Sequence, residues 1–330
     1  MNGNGRSAAA RRRAFLGLAL AGICSVVALA APTAGAASWP WWWWPTTTKA
    51  TTTTTTTTTT AAPTTTLPAG PCGPQIKKAD GSYWACTFVE DFDGDTLDGT
   101  TWIAQQTAQS SFAPGGACYV DAPGNVSVSD GALHLTARQE AEPFVCPDPK
   151  GAFTTRYTAG SVSTFMRWSQ AYGRFEVRAQ FPGAKVQGLQ SAIWLWPDKP
   201  TKYGPWPYSG EIDIAEAYSV HPDRVIPYIH YVPMAGDSKV TNNYCMIADV
   251  SDWNTYVVEW TTKTITIIYN GKVCTSTNWN PALPLLKPQP FDQPFMIALT
   301  QALGIGKNAF DPSLTPLPAT TNVDYVRVWK

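Results

Sequence analysis

Residues 174–181 alternate strictly in polarity. Phe175, Val177, Ala179 and Phe181 fall on one side, and Arg174, Glu176, Arg178 and Gln180 on the other. A period of two describes a strand with one buried and one wet face. The same logic recurs between turn signals. Thr264-Ile265-Thr266-Ile267-Ile268-Tyr269 runs into Asn270-Gly271, a dipeptide that favours a type I′ hairpin, and Lys272-Val273-Cys274 returns beside it. Val126, Val128, Leu133 and Leu135 flank Asp130-Gly131 in the same way. Proline is frequent, at 28 residues, and no long helical period competes, so an all-β sandwich is predicted.

The chemistry concentrates in Gly210-Glu211-Ile212-Asp213-Ile214-Ala215-Glu216. Successive strand side chains point to opposite faces, so Glu211 and Asp213 share one face and Ile212 and Ile214 the other. Glu216 stands at odd spacing from Glu211 and would point inward in a regular strand. A β-bulge adds the one residue that restores parity. We therefore expect a bulge near Ile214–Ala215, with all three carboxylates on one surface. Crowded carboxylates hold at least one pKa high, so a protonated acid can sit beside an ionised one. That pairing suits glycoside hydrolysis with retention, which needs two carboxyl groups about 5–5.5 Å apart. An acidic edge strand facing solvent is the competing reading of the pattern alone.

The flanking sequence bears on that choice. The acidic segment resembles the signature of glycoside hydrolase family 16 in its bulged, laminarinase-like form. Tyr172-Gly173-Arg174-Phe175-Glu176-Val177-Arg178-Ala179 is similar to the family's Y-G-R-F-E-x-R strand. Ser191-Ala192-Ile193-Trp194-Leu195-Trp196-Pro197 resembles its P-A-F-W-L-x-P strand, and Val323-Asp324-Tyr325-Val326-Arg327-Val328-Trp329 its closing D-Y-V-R-V strand. The resemblance implies a jelly roll of two curved antiparallel sheets with an open polysaccharide cleft. It implies Glu211 as nucleophile, Glu216 as acid/base, and Asp213 as the group that hydrogen-bonds the nucleophile. It places Trp194 under a sugar and lets His230 reach sugar hydroxyls or Asp213. Trp206, in the Pro-rich loop before the acidic strand, is expected to border the cleft. Trp260, Glu259 and Gln301 are further substrate-binding candidates. Arg174 and Glu176 are expected to pair with each other across the polar face.

No cofactor is expected for catalysis. The resemblance does imply a structural calcium, at positions matching Asp91, Gly131 and Asp324, because hard oxygen ligands suit that ion. The chain departs from the family pattern in two places. Leu189-Gln190-Ser191 stands where a Trp is usual, and Gly304-Ile305-Gly306-Lys307-Asn308 replaces a familiar Gly-Gly-Asn-Trp stretch. Both changes fall near expected sugar contacts and bear on substrate more than on chemistry.

Residues 1–36 read as an export signal. Arg11–Arg13 precede an apolar run and Ala34-Gly35-Ala36 offers a cleavage site. Arg12-Arg13-Ala14-Phe15-Leu16 also resembles a twin-arginine signal. Residues 37–70 hold a Trp cluster, either adhesive or inert, and a Thr-rich linker that cannot bury a core. The remainder, 71–330, is expected to be the catalytic domain, secreted, monomeric and free of membrane contact once the signal is cleaved. Net charge is zero, so no nucleic-acid partner is implied. Trp is abundant, with 15 copies, which suits stacking on sugar rings as well as core packing. The chain has 7 cysteines, and with Cys24 removed the rest favour the sequential pairs 72–86, 118–146 and 245–274. His134, His221 and His230 lack metal-binding spacing.

The expected activity is endo-cleavage of a β-glucan, most directly a β-1,3-glucan. A non-catalytic glucan-binding module and a transglycosylase using the same carboxylates are the alternatives.

Overall fold

The computed structural model describes residues 69–236 and 240–330. The export signal, the Trp cluster and nearly all of the Thr-rich segment lie outside the described residues. No helix among those described is long and apolar enough to cross a membrane.

Sixteen strands follow one another in these residues. They are β1 Cys86–Glu90, β2 Ile103–Ala104, β3 Cys118–Tyr119, β4 Val126–Ser129, β5 Ala132–Cys146, β6 Phe153–Ala159, β7 Ser161–Ser163 and β8 Gly173–Gln180. The second half adds β9 Leu189–Pro197, β10 Glu211–Tyr218, β11 Ile226–His230, β12 Asn254–Trp260, β13 Ile265–Tyr269, β14 Lys272–Thr277, β15 Phe295–Leu303 and β16 Ala319–Trp329. They form two sheets, antiparallel except where β3 meets β6. The larger sheet has the order β14-β13-β12-β8-β16-β5-β6-β3, with β1 beside β16 and β4 beside β5. The smaller has the order β11-β10-β9-β15-β7-β2. The all-β jelly-roll expectation holds.

Alternation decides which faces meet. Phe175, Val177 and Ala179 of β8 are at most 1% exposed, and Ile193 and Leu195 of β9 answer them from the other sheet. Each of these side chains larger than alanine stabilises the fold by about 1.5–3 kcal/mol through burial. The polar face of β8 carries the expected pair, with Arg174 Nη2 and Glu176 Oε2 2.6 Å apart. Both hairpin signals close as read. Asn270 and Gly271 have φ of +48° and +76°, and Tyr269 pairs with Lys272. Asp130 and Gly131 do the same between β4 and β5.

The disulfides are Cys72–Cys86, Cys118–Cys146 and Cys245–Cys274, the sequential set. Two of them fasten loops beside the acidic strand. Cys118 anchors the segment carrying Phe112, whose carbonyl accepts from Thr107 Oγ1 and whose ring packs edge-on against Tyr119. Cys245 anchors the loop that carries Tyr244.

Candidate active site

β10 begins directly after Gly210, whose φ is +84°. A Cβ there would lie 2.9 Å from Phe291 Cε1, so both the backbone sign and the space require glycine. The turn delivers Glu211 onto the outer face of the smaller sheet, opposite His230 of β11. Towards β9, Asp213 pairs with Trp194 and Ala215 with Ile193, leaving Ile214 as the extra residue. Towards β11, Asp213 pairs with Tyr228 and Glu216 with Ile226, so two residues of β10 oppose one. This is the expected bulge in the expected place. Ile214 and Ala215 both turn inward and are 0% exposed. Glu216 thereby returns to the outer face, and one groove of about 150 Å³ is lined by Glu211, Asp213 and Glu216 together.

Each carboxylate has its own partners. Trp206 Nε1 donates to Glu211 Oε2 at 2.5 Å from a half-exposed loop position. His230 Nε2 lies 2.9 Å from Asp213 Oδ2. Gln190 Nε2 and the Tyr218 hydroxyl donate to the two oxygens of Glu216, at 2.6 and 2.9 Å. Facing atoms of Glu211, Asp213 and His230 gather within 4.8 Å. Trp194 lines the opposite flank, its Nε1 donating to Thr300 Oγ1 and its ring stacked near Phe112. Trp194, Trp206 and His230 are thus all brought to the acidic strand.

Burial governs the electrostatics. Glu211 is pushed up to about 8, first by burial and then by the charge of Asp213. Asp213 is raised well above the usual carboxylate range by burial and by Glu216. Glu216 is raised by burial against the opposing donors Tyr218 and Gln190. Three crowded, desolvated carboxyls resist carrying three negative charges at once, which lets one remain an acid beside an ionised neighbour. These shifts carry a stability cost with a definite sign. A carboxyl raised in the folded state contributes most below its unfolded pKa, and that contribution is lost as pH rises through the folded value. For Glu211 the window runs from 4.5 to about 8. Glu211→Gln is expected to raise Tm at pH 9 by ~2 °C or more, and to leave it unchanged at pH 4. Equal shifts at both pH values in a thermal melt would refute this assignment of the strain.

Three substrate-contact expectations are corrected. Trp260 is 0% exposed and lies in the core between the sheets, packed against Phe295, Tyr172 and Phe175. It belongs to β12 of the larger sheet, and the smaller sheet separates it from the groove. Gln301 is also 0% exposed. On β15 the groove-facing parity belongs to Thr300 and Ala302, so Gln301 turns inward, where Oε1 accepts from Ser191 Oγ and Thr321 Oγ1 at 2.7 Å each. Glu259 pairs with Arg174 on the larger sheet.

The calcium set does not fit either. The Asp91 carboxylate is held by Arg327 and that of Asp324 by Arg178, while Gly131 sits in the β4–β5 turn. Both acids are committed to guanidinium groups, so the charge a calcium ion needs is already neutralised.

Sequence reasoning passed over Phe112 and Tyr218, and gave Gln190 no part beside Glu216. Tyr218 and Gln190 share the parity of Glu216 and Trp194 and could have been counted. Phe112 comes from a distant loop and left no local signal.

The chain is thus an all-β sandwich that presents one buried and two half-buried carboxylates in an open groove. The match to glycosyl hydrolases family 16 extends over residues 117–313, and the chain belongs to that family. It is 31% identical over 266 residues to the glucan endo-1,3-beta-glucosidase A1 of Niallia circulans, a match that covers 74% of this chain but 37% of that protein. It is 33% identical over 220 residues to the beta-glucanase of Rhodothermus marinus, covering 62% of this chain and 70% of that one. Among solved structures, the laminarinase from Rhodothermus marinus superimposes with a TM-score of 0.62 at 28% identity, covering 75% of this chain and 97% of that one.

Proposed function

We propose that this protein is a secreted endo-β-1,3-glucanase that hydrolyses internal glucosidic bonds by double displacement. The observation that carries the reading is the bulge at Ile214, which sets Glu211 and Glu216 on one groove wall with different partners. Names borne by the relatives, glucan endo-1,3-beta-glucosidase and beta-glucanase, support the substrate class. Glu211 attacks the anomeric carbon in its ionised form, and the glycosidic C–O bond breaks as a glycosyl ester forms. Glu216 gives its proton to the departing oxygen. It then takes a proton from water, which attacks the ester and frees Glu211. The Trp206 indole N–H occupies Glu211 Oε2 and leaves Oε1 for attack. Asp213, between the two and against His230, holds a proton and is placed to hydrogen-bond the carboxylate of Glu211. The three disulfides support export from a reducing cytoplasm.

Reducing-end release from laminarin tests the reading. Internal cleavage yields a ladder of oligosaccharides with a rapid drop in viscosity. Binding of laminarin without release would favour a non-catalytic module, and products longer than the substrate would indicate transfer to sugar.

A further inference from the structure

A second concavity of about 520 Å³ opens beyond Glu216, within the size range of ligand sites. Tyr218 stands between it and the acidic groove, lining it while its hydroxyl donates to Glu216 at 2.9 Å. Three basic side chains line it, His221, Arg224 and Lys307, and no carboxylate does. Tyr244 stands at its rim, 74% exposed, with the Arg224 guanidinium over its ring. Arg224 spends Nε and Nη2 on a fork to Asp223, which leaves the rest of its donors uncommitted to that carboxylate. Lys307 is exposed, and among the described residues no ion pair involves it.

The walls are fixed before any ligand arrives. Asn308, next to Lys307, accepts from the backbone N–H of Gly188 and Val220 and donates to the carbonyl of Leu189. That side chain fastens the Lys307 turn to β9 and to the end of β10. The Val225 N–H donates to the carbonyl of Cys245, and the Ile247 N–H to that of Asp223, which holds the Tyr244 loop against Arg224. A neutral glucan has no use for an unpaired ammonium group on the wall of a ligand-sized concavity. An anionic substituent does, because charge-assisted hydrogen bonds in such a concavity are strong.

We infer that the concavity beyond Glu216 is a subsite for a glycosyl residue bearing an anionic group, a carboxylate or a sulfate. The inference rests on the proposed carbohydrate site and adds the charge of the substrate to it. Lys307 supplies the charge, Arg224 a donor left over from its fork to Asp223, and Tyr244 the ring on which that residue stacks.

The test is binding to the full chain carrying Glu216→Gln, so that turnover does not intrude. Calorimetry compares plain laminarin, laminarin oxidised at C6 to the uronate, and sulfated laminarin. One or both charged glycans are expected to bind about fivefold tighter than the plain one or better. Which of them does so tells carboxylate from sulfate. The advantage is expected to vanish in about 0.5 M salt, because exposed charges are screened there. Adding Lys307→Ala should remove most of it, and Lys307→Glu should reverse it, with plain laminarin unchanged by either. Equal binding of all three glycans, or equal weakening of all three by Lys307→Ala, overturns the inference. Reducing-end release by the unmutated protein is read separately. Release from plain laminarin without a charge preference defeats this inference alone; a charge preference without release from any glycan defeats only the proposed activity.

Discussion

Glu216→Gln is expected to lower hydrolysis of laminarin by about 10²–10⁴-fold, the usual worth of a positioned acid and base. The fold should survive, because Gln keeps the shape of the side chain and Tyr218 and Gln190 remain beside it. The pattern of loss matters more than its size. An aryl β-glucoside of a laminarin oligosaccharide with a very acidic phenol needs no proton on its leaving oxygen. Glu216→Gln should therefore release that phenol in a burst and stall at the glycosyl ester, which azide then cleaves to a glycosyl azide. Glu211→Gln should fail with both substrates, and azide should not rescue the hydrolysis of this β-linked substrate. If the two variants exchange these behaviours, the roles of the two carboxylates are reversed. If both retain near-normal turnover, the bulged strand does not carry the reaction.

Trp260→Ala is expected to lower stability by about 3–5 kcal/mol, and Tm by roughly 10 °C. The indole is fully enclosed by Phe295, Tyr172 and Phe175, and neighbouring strands cannot collapse far enough to refill its space. Its Nε1 has no hydrogen-bond partner. Trp260→Phe therefore sheds a costly buried N–H along with some volume and should recover much of the loss. Both variants are expected to keep the KM of the parent when assayed well below their melting points. A raised KM in Trp260→Phe without a matching fall in Tm would restore this residue to sugar contact.

Strand parity separates what could be read from the chain and what could not. Glu211, Asp213 and Glu216 were legible because the count of residues between them demands a bulge, and apolar Ile214 and Ala215 show which way the extra residue turns. The hairpins at Asp130-Gly131 and Asn270-Gly271 were legible because their backbone needs positive φ. Trp260 and Gln301 were misplaced because residue type was allowed to outweigh parity. An aromatic side chain suits a sugar and a core equally well, and only its face and its sheet decide. Gln301 shows the converse, a polar side chain taken inward to satisfy Ser191 and Thr321. Phe112 was beyond reach, since the Thr107 hydroxyl and the Cys118–Cys146 bond bring it to Trp194 from far away in sequence. The acids expected to bind calcium were legible as acids, but their arginine partners arrive from other strands.

The position of β16 has a consequence for how the protein is made. Residues Ala319–Trp329 hydrogen-bond to β5, β8 and β1, in the middle of the larger sheet rather than at its rim. A ribosome delivers this segment after all the other strands, so until it emerges β5 and β8 have no common neighbour and present two raw edges. Until then the nascent polypeptide keeps part of its apolar interior open, and the two edges are exposed to pairing with other chains.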